Sequence, residues 1–228
     1  MSPEPPFLRI VAASDSALLV SFGSEISLES HAKVLQLTNR FKSRKQAGIL
    51  NLHPAYSSIL IRFDPLRLRG EELAGIVQAW VEEESPGPFP ESRLVEIPVW
   101  YGGEFGPDLA DVARHAGLTE AQVVEMHASV EYRVHFLGFT PGFPYLAGLP
   151  AVLATPRLNQ PRKRIPAGSV AIGGVQTGIY PLASPGGWRL VGRTPVRLFE
   201  PGRDPIAWLR MGDRVRFVPI PPSIERGA

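Results

Sequence analysis

The stretch from Tyr132 to Phe199 sets the tightest limit on what this chain can fold into. It reads YRVHFLGFTPGFPYLAGLPAVLATPRLNQPRKRIPAGSVAIGGVQTGIYPLASPGGWRLVGRTPVRLF, and glycine and proline punctuate it throughout. Glycine permits positive φ and close backbone approach, whereas proline fixes φ and removes a hydrogen-bond donor. No long helix survives that punctuation. Short strands joined by tightly specified loops do. The stretch is also one-signed: between Val134 and Phe199 there is no Asp or Glu, yet Arg157, Arg162, Lys163, Arg164, Arg189, Arg193 and Arg197 all lie there. An acid-free surface bearing arginines can hold a phosphate or a carboxylate. Arginines scattered round a barrel rim and facing water would give the same composition.

The preceding half reads differently. Phe7–Val11 and Ala17–Phe22 have strand character, separated by the turn-prone Ser14-Asp15-Ser16. From Ser27, a plausible N-cap, Leu28, His31, Ala32, Leu35 and Thr38 recur at helical spacing, and Arg40, Lys42, Arg44 and Lys45 suit the negative end of that helix. Ile49–Leu52 and Ser57–Phe63 are β-like, with Asp64-Pro65 ending the second. Gly70–Glu84 is amphipathic, with Leu73, Ile76, Val77 and Trp80 on one face. These elements predict a small α+β domain over residues 1–88, a sheet covered by two helices. Ser85-Pro86-Gly87-Pro88-Phe89-Pro90 then reads as a linker.

Residues 89–228 predict a mainly-β barrel domain with two early helices, Pro107–His115 and Glu120–Ser129, the first closed by Gly117 and the second capped by Thr119. Arg93–Tyr101 is the opening strand, and its Pro98 implies an edge or a bulge. Met211–Ile220 is the closing strand.

Several function classes are excluded. The chain has 228 residues, a formal net charge of +2 and no run of like charges long enough for a nucleic-acid arm. It has no cysteine, which removes disulfides, thiolate metal sites and a cysteine nucleophile, and fits a reducing cytoplasm. No apolar run approaches the roughly 18 residues of a membrane span, and MSPEPPFLRI lacks the features of a signal peptide. No phosphate-binding GxxxxGK[ST] loop occurs, and Gly102-Gly103-Glu104-Phe105-Gly106 reads as a turn. The histidines at 31, 53, 115, 127 and 135 lack paired ligand spacing, so no metal site is expected. His135 is expected to alternate outward from its strand as a structural residue.

Candidate binding residues come from the loops. Phe139, Phe143 and Tyr145 sit among Gly138, Pro141, Gly142 and Pro144, a shaped loop of the kind that carries recognition. Gln176, Thr177 and Tyr180 lie in GGVQTGIYP, whose glycines expose backbone amides or simply form turns. Arg164 and Arg193 could add charge. Together they would suit a small carboxylated lactam or a phosphorylated intermediate. No catalytic residue can be named.

Three blocks carry a resemblance: FLGFTPGFPYLAGL at 136–149, PRKRIPAGSVAIGGVQTGIYP at 161–181 and SPGGWRLVGRTP at 184–195. They resemble the signatures of a family that includes the B subunit of the bacterial ATP-dependent oxoprolinase, the KipI-type histidine-kinase inhibitors and allophanate hydrolase subunit one. The resemblance implies a cyclophilin-like barrel. It implies a non-autonomous subunit of a 5-oxoprolinase that opens 5-oxo-L-proline to L-glutamate, with ATP and Mg2+ serving the assembled complex and none bound by this chain alone. The implied partners are the LamB/YcsF-like and KipA-like components of the oxoprolinase, its A and C subunits respectively. The alternatives are inhibition of a histidine kinase, and a carboxyltransferase-like part in urea or allophanate metabolism. Neither nucleic acid nor membrane is expected as a partner.

Overall fold

The computed structural model describes residues 7–25, 27–83 and 92–221. The chain divides into two compact units, Met1–Glu91 and Ser92–Ala228. The proline-rich stretch at 85–90, and with it the boundary expected between 88 and 89, lies outside the described residues.

In the first unit, β1 (Arg9–Ser14) and β2 (Ala17–Ser21) form a hairpin, followed by α1 (Leu28–Arg44), β3 (Ile49–Pro54), β4 (Ser58–Phe63) and α2 (Gly70–Glu82). The four strands make an antiparallel sheet in the order β1-β2-β4-β3. Local chemistry sets the helix ends. Ser27 accepts from the Ser30 N–H at 3.0 Å, and Lys45 closes α1 in the left-handed region, its N–H reaching the Phe41 carbonyl. The apolar stripe of α1, Val34, Leu37 and Phe41, is buried, and Phe41 meets Trp80 of α2 at 4.9 Å between ring centroids. Leu18, Val20, Ile59, Ile61 and Phe63 supply the sheet's side of that core. The α+β arrangement expected from the periodicities is the one formed.

The second unit opens with β5 (Leu94–Tyr101), α3 (Leu109–Ala116) and α4 (Glu120–Ala128). Eight strands follow: β6 (Tyr132–Leu137), β7 (Pro144–Ala147), β8 (Arg162–Ile165), β9 (Ser169–Gly173), β10 (Gln176–Ile179), β11 (Ser184–Gly186), β12 (Arg189–Arg193) and, at the end, β13 (Arg214–Pro219), with a 3-10 turn at Ala151–Leu153. Seven of the unit's strands close a barrel in the order β10-β7-β6-β13-β5-β12-β9, while β8 and β11 form a separate two-stranded ribbon. Closure removes the exposed edges that short strands would otherwise present.

Pro98 finds its place through unequal pairing. β13 runs parallel to β5 from Leu94 to Val99, but β12 reaches only Trp100 and Tyr101. Pro98 therefore sits where β5 has a neighbour strand on one side only, a local edge within a closed barrel, and its missing N–H costs nothing there.

Helices α3 and α4 pack Leu109, Val112 and Val123 into the same core as Val95, Ile97, Val134, Leu146, Ile172, Val191 and Phe217. Gly117 ends α3 at φ 68°, and Thr119 and Gln122 form a reciprocal capping box at the start of α4. Among the described residues no helix is long and apolar enough to cross a membrane.

Candidate functional site

A second, smaller apolar cluster lies beside the barrel core and is built from Phe143, Ile165, Ala171, Tyr180, Trp188 and Leu190, with Tyr145 against it. The loop from β6 to β7 shapes one side. Gly138 N–H donates to the Phe143 carbonyl at 3.1 Å and Phe143 N–H to the Thr140 carbonyl at 3.0 Å, pinching residues 138–143 into a tight turn. That turn forces Phe139 to φ 66°, a left-handed conformation that costs a bulky residue roughly 1–3 kcal/mol. The strain places the Phe139 ring, 60% exposed, edge-on to Phe143 at 5.6 Å and Tyr180 at 6.4 Å. Phe143 itself is buried and meets Tyr145, Tyr180 and Trp188 edge-on at 5.0, 5.1 and 5.5 Å.

Glycines make room for these rings. A Cβ on Gly173 of β9 would stand 2.4 Å from the Trp188 ring, and one on Gly178 of β10 would stand 2.9 Å from Phe143. At Gly186 of β11 a Cβ would meet the Tyr180 hydroxyl at 2.4 Å and Ile165 at 2.7 Å. Gly173 and Gly178, read in the sequence as exposing amides or forming turns, therefore serve close approach, and Gly186 does the same. Gly186→Ala is expected to lower stability by about 1–3 kcal/mol through overpacking, read as a fall in the urea midpoint. An unchanged midpoint would show that the cluster yields freely.

The rings enclose a cavity of about 90 Å³. Phe139, Phe143, Tyr145 and Tyr180 line it, joined by Trp188, Arg157 and the backbone of Gly186 and Gly187. Burial pushes the Tyr145 and Tyr180 phenols above their ordinary pKa, with the Arg157 charge opposing the shift at both. Both stay protonated at neutral pH and can donate hydrogen bonds. The Arg157 guanidinium lies 5.7 Å from the Trp188 ring centroid.

The acid-free window is partly neutralised from outside. Arg162 forks onto Asp108 at 2.7 and 2.8 Å, Arg189 reaches Asp111 at 3.0 Å, and Arg197 lies 3.6 Å from Glu200. Of the residues expected to bind, Phe139, Phe143, Tyr145 and Tyr180 come together at the cavity. The other four lie elsewhere. Arg164 is exposed on β8, and Arg193 ends β12 opposite Trp100 with its guanidinium 5.4 Å over Phe105. Gln176 is half-buried opposite Gly173. Thr177 is fully buried, bonded to His127 at 3.0 Å and to the Ala171 carbonyl at 3.0 Å.

Sequence reasoning passed over Trp188 and, though it counted Arg157 among the window's cations, did not single it out as a binding residue. Trp188 carried a signal, a single large aromatic after two glycines in the third block. Arg157 stood in no periodic or spaced pattern. His135, expected to face outward, is buried at 1% exposure because the register shift between Val134 and Phe136 breaks the alternation of β6. No group of three or more His, Cys, Asp or Glu that could hold a metal occurs among the described residues.

Comparison with known proteins agrees with this architecture. The carboxyltransferase domain family, subdomain C and D, matches residues 8–209. The B subunit of the 5-oxoprolinase of Escherichia coli O157:H7 is 48% identical over 212 residues, covering 92% of this chain and 95% of that protein. Among solved structures, TTHA0988 superposes with a TM-score of 0.80 at 40% identity, covering 90% of this chain but only 40% of its own. The urea carboxylase of Kluyveromyces lactis shares the fold, with a TM-score of 0.76 at 23% identity over 97% of this chain and 22% of that one. The chain thus belongs to the carboxyltransferase domain (subdomain C and D) family, together with the B subunits of 5-oxoprolinases.

Proposed function

We propose that this chain is the B subunit of an ATP-dependent 5-oxoprolinase and opens 5-oxo-L-proline to L-glutamate only when assembled with the A and C subunits. The observation that carries the reading is the 48% identity that runs through 95% of a protein of that name. Likeness to a minor part of two longer chains, 40% of one and 22% of the other, supports work beside other domains.

The residues of this chain suit binding better than phosphoryl chemistry. A cavity of about 90 Å³ is far below the roughly 300–1,000 Å³ that larger ligands occupy, and the described residues provide no carboxylate cluster for magnesium. A magnesium–nucleotide site does not fit this cavity, and the reading assigns ATP and Mg2+ to the assembled complex. What this chain contributes is an aromatic recess with protonated phenols and a cation at its mouth, able to seat and orient a small ring. The complex is proposed to be cytoplasmic, a location with which a cysteine-free chain is compatible.

The test is glutamate release from 5-oxo-L-proline and ATP, by the purified chain alone and after co-expression with the A and C subunits. Turnover is expected only with the partners. Turnover by the lone chain would overturn its dependence on them, and none with the full set would overturn the oxoprolinase reading. The fold shared with urea carboxylase supports a second reading, a carboxyltransferase component, which carboxylation of urea by a reconstituted complex would favour instead.

A further inference from the structure

We propose that Arg157 is the specificity residue of the aromatic pocket, holding the carboxylate of a small ring acid whose ring lies among Trp188, Tyr145 and Tyr180. The identity of that acid, 5-oxo-L-proline, rests on the function proposed above.

Elimination among the cations of the window leads to Arg157. Arg162, Arg189 and Arg197 each face an acid within 4 Å. Lys163 and Arg164 are exposed on the β8 ribbon, and Arg193 lies over Phe105. Arg157 lines the cavity and has no ion pair among the described residues. Its contact with Trp188 is a cation–π contact, which fixes the guanidinium at the mouth while leaving its charge unneutralised. The N–H fork of arginine matches a carboxylate in two parallel hydrogen bonds, a geometry lysine cannot reproduce.

The rest of the pocket fits the same ligand. Its volume admits one small ring and excludes a nucleotide. Its walls are aromatic, with Phe143 as a floor that is 2% exposed, so a flat uncharged lactam is favoured there over a charged ring. No carboxylate lies anywhere between Val134 and Phe199, so nothing supplied by that stretch repels the ligand's anion. The Tyr145 and Tyr180 phenols, held in the protonated form by burial, can donate to the ring carbonyl. The same lining thus offers an arginine to an anion and phenol donors to a neutral amide.

The experiment uses the assembled complex, carrying wild-type chain, Arg157→Gln, Arg157→Lys or, as control, Lys163→Gln. Arg157→Gln is expected to raise the KM for 5-oxo-L-proline about 10- to 100-fold, as loss of a charge-assisted pair does, with a smaller change in kcat. The neutral ring 2-pyrrolidinone should inhibit wild-type and Arg157→Gln complexes with equal affinity, because it has no carboxylate to lose. Arg157→Lys should fall between the two, and Lys163→Gln should match wild type. Arg157 is exposed, so its variants are expected to fold, and circular dichroism checks this. Normal turnover with an unchanged KM in Arg157→Gln would overturn the assignment while the oxoprolinase reading stood. A wild-type complex without turnover would overturn that reading instead. Equilibrium titration of 5-oxo-L-proline then decides the pocket: binding lost in Arg157→Gln upholds it, and binding absent or indifferent to the substitution overturns it.

Discussion

Replacing Asp108 with alanine is expected to destabilise the chain by about 2–4 kcal/mol, the cost of a buried N–H left without its acceptor together with the loss of a bidentate, part-buried ion pair. Asp108 stands at the start of α3, yet its side chain caps no helix N–H. Its two carboxylate oxygens instead take both terminal nitrogens of Arg162, at 2.7 and 2.8 Å, and the Leu190 N–H, at 2.7 Å. A return bond from Asp108 N–H to the Leu190 carbonyl, at 2.9 Å, doubles the link to β12. One side chain that is 6% exposed thus joins a helix, a barrel strand and the β8–β11 ribbon. Alanine would leave the Leu190 N–H buried without its acceptor and Arg162 without its counter-charge.

The damage should reach the pocket as well, since Arg162 lies opposite Gly186 in the ribbon and Gly186 lines the cavity. Urea midpoints of Asp108→Ala, Arg162→Ala and the double variant measure the effect. A coupling energy above about 1.5 kcal/mol is expected for contacting charges. Additive losses, or a single-variant loss below about 1 kcal/mol, would show that Asp108 bears little of the junction.

This junction also marks where the sequence stops being readable. The caps at Ser27, Gly117 and Thr119 were legible because each depends on residues within one helical turn. The strands of the second unit were legible as short, glycine-bounded segments that argued for a barrel on their own, whereas its cyclophilin-like character came through the resemblance. The acid-free window was legible as composition, but its neutralisation was not: Arg162 and Arg189 pair with acids 54 and 78 residues away. Four of the aromatic and loop residues expected to bind do meet at one cavity, since a strained turn and two glycine loops bring them there. Thr177 shows the opposite case. A polar residue in a glycine-rich strand looks available to a ligand, and nothing local reveals that a buried histidine from α4 waits for it inside the barrel.

That histidine carries the other large expected effect, a loss of stability in acid of about 5 kcal/mol between pH 6.5 and pH 3. His127 is fully buried, stacked on Phe217 at 4.6 Å and bonded through both ring nitrogens. Its tautomer follows from its partners. Thr177 spends its one hydroxyl hydrogen on the Ala171 carbonyl, so it accepts from Nε2–H at 3.0 Å. Nδ1 is then the acceptor, and the Tyr101 hydroxyl donates to it at 2.7 Å. A protonated ring would have two donors facing Tyr101 and Thr177 in an apolar barrel, and burial pushes its pKa down from 6.5 to about 3. The unfolded chain takes up a proton at this site as pH falls below 6.5, while the folded chain refuses it until about pH 3. The contribution is therefore complete above pH 6.5 and drains away as pH drops through that window. Urea unfolding of wild type and His127→Gln at about pH 7, 5.5 and 4.5 isolates it. Glutamine keeps a donor and an acceptor but does not titrate, so the wild type should lose stability more steeply, by up to one proton's worth of slope. Parallel pH profiles would mean that the barrel tolerates a charged imidazole and that its polar core is wetter than the packing around Phe217 and Tyr132 allows.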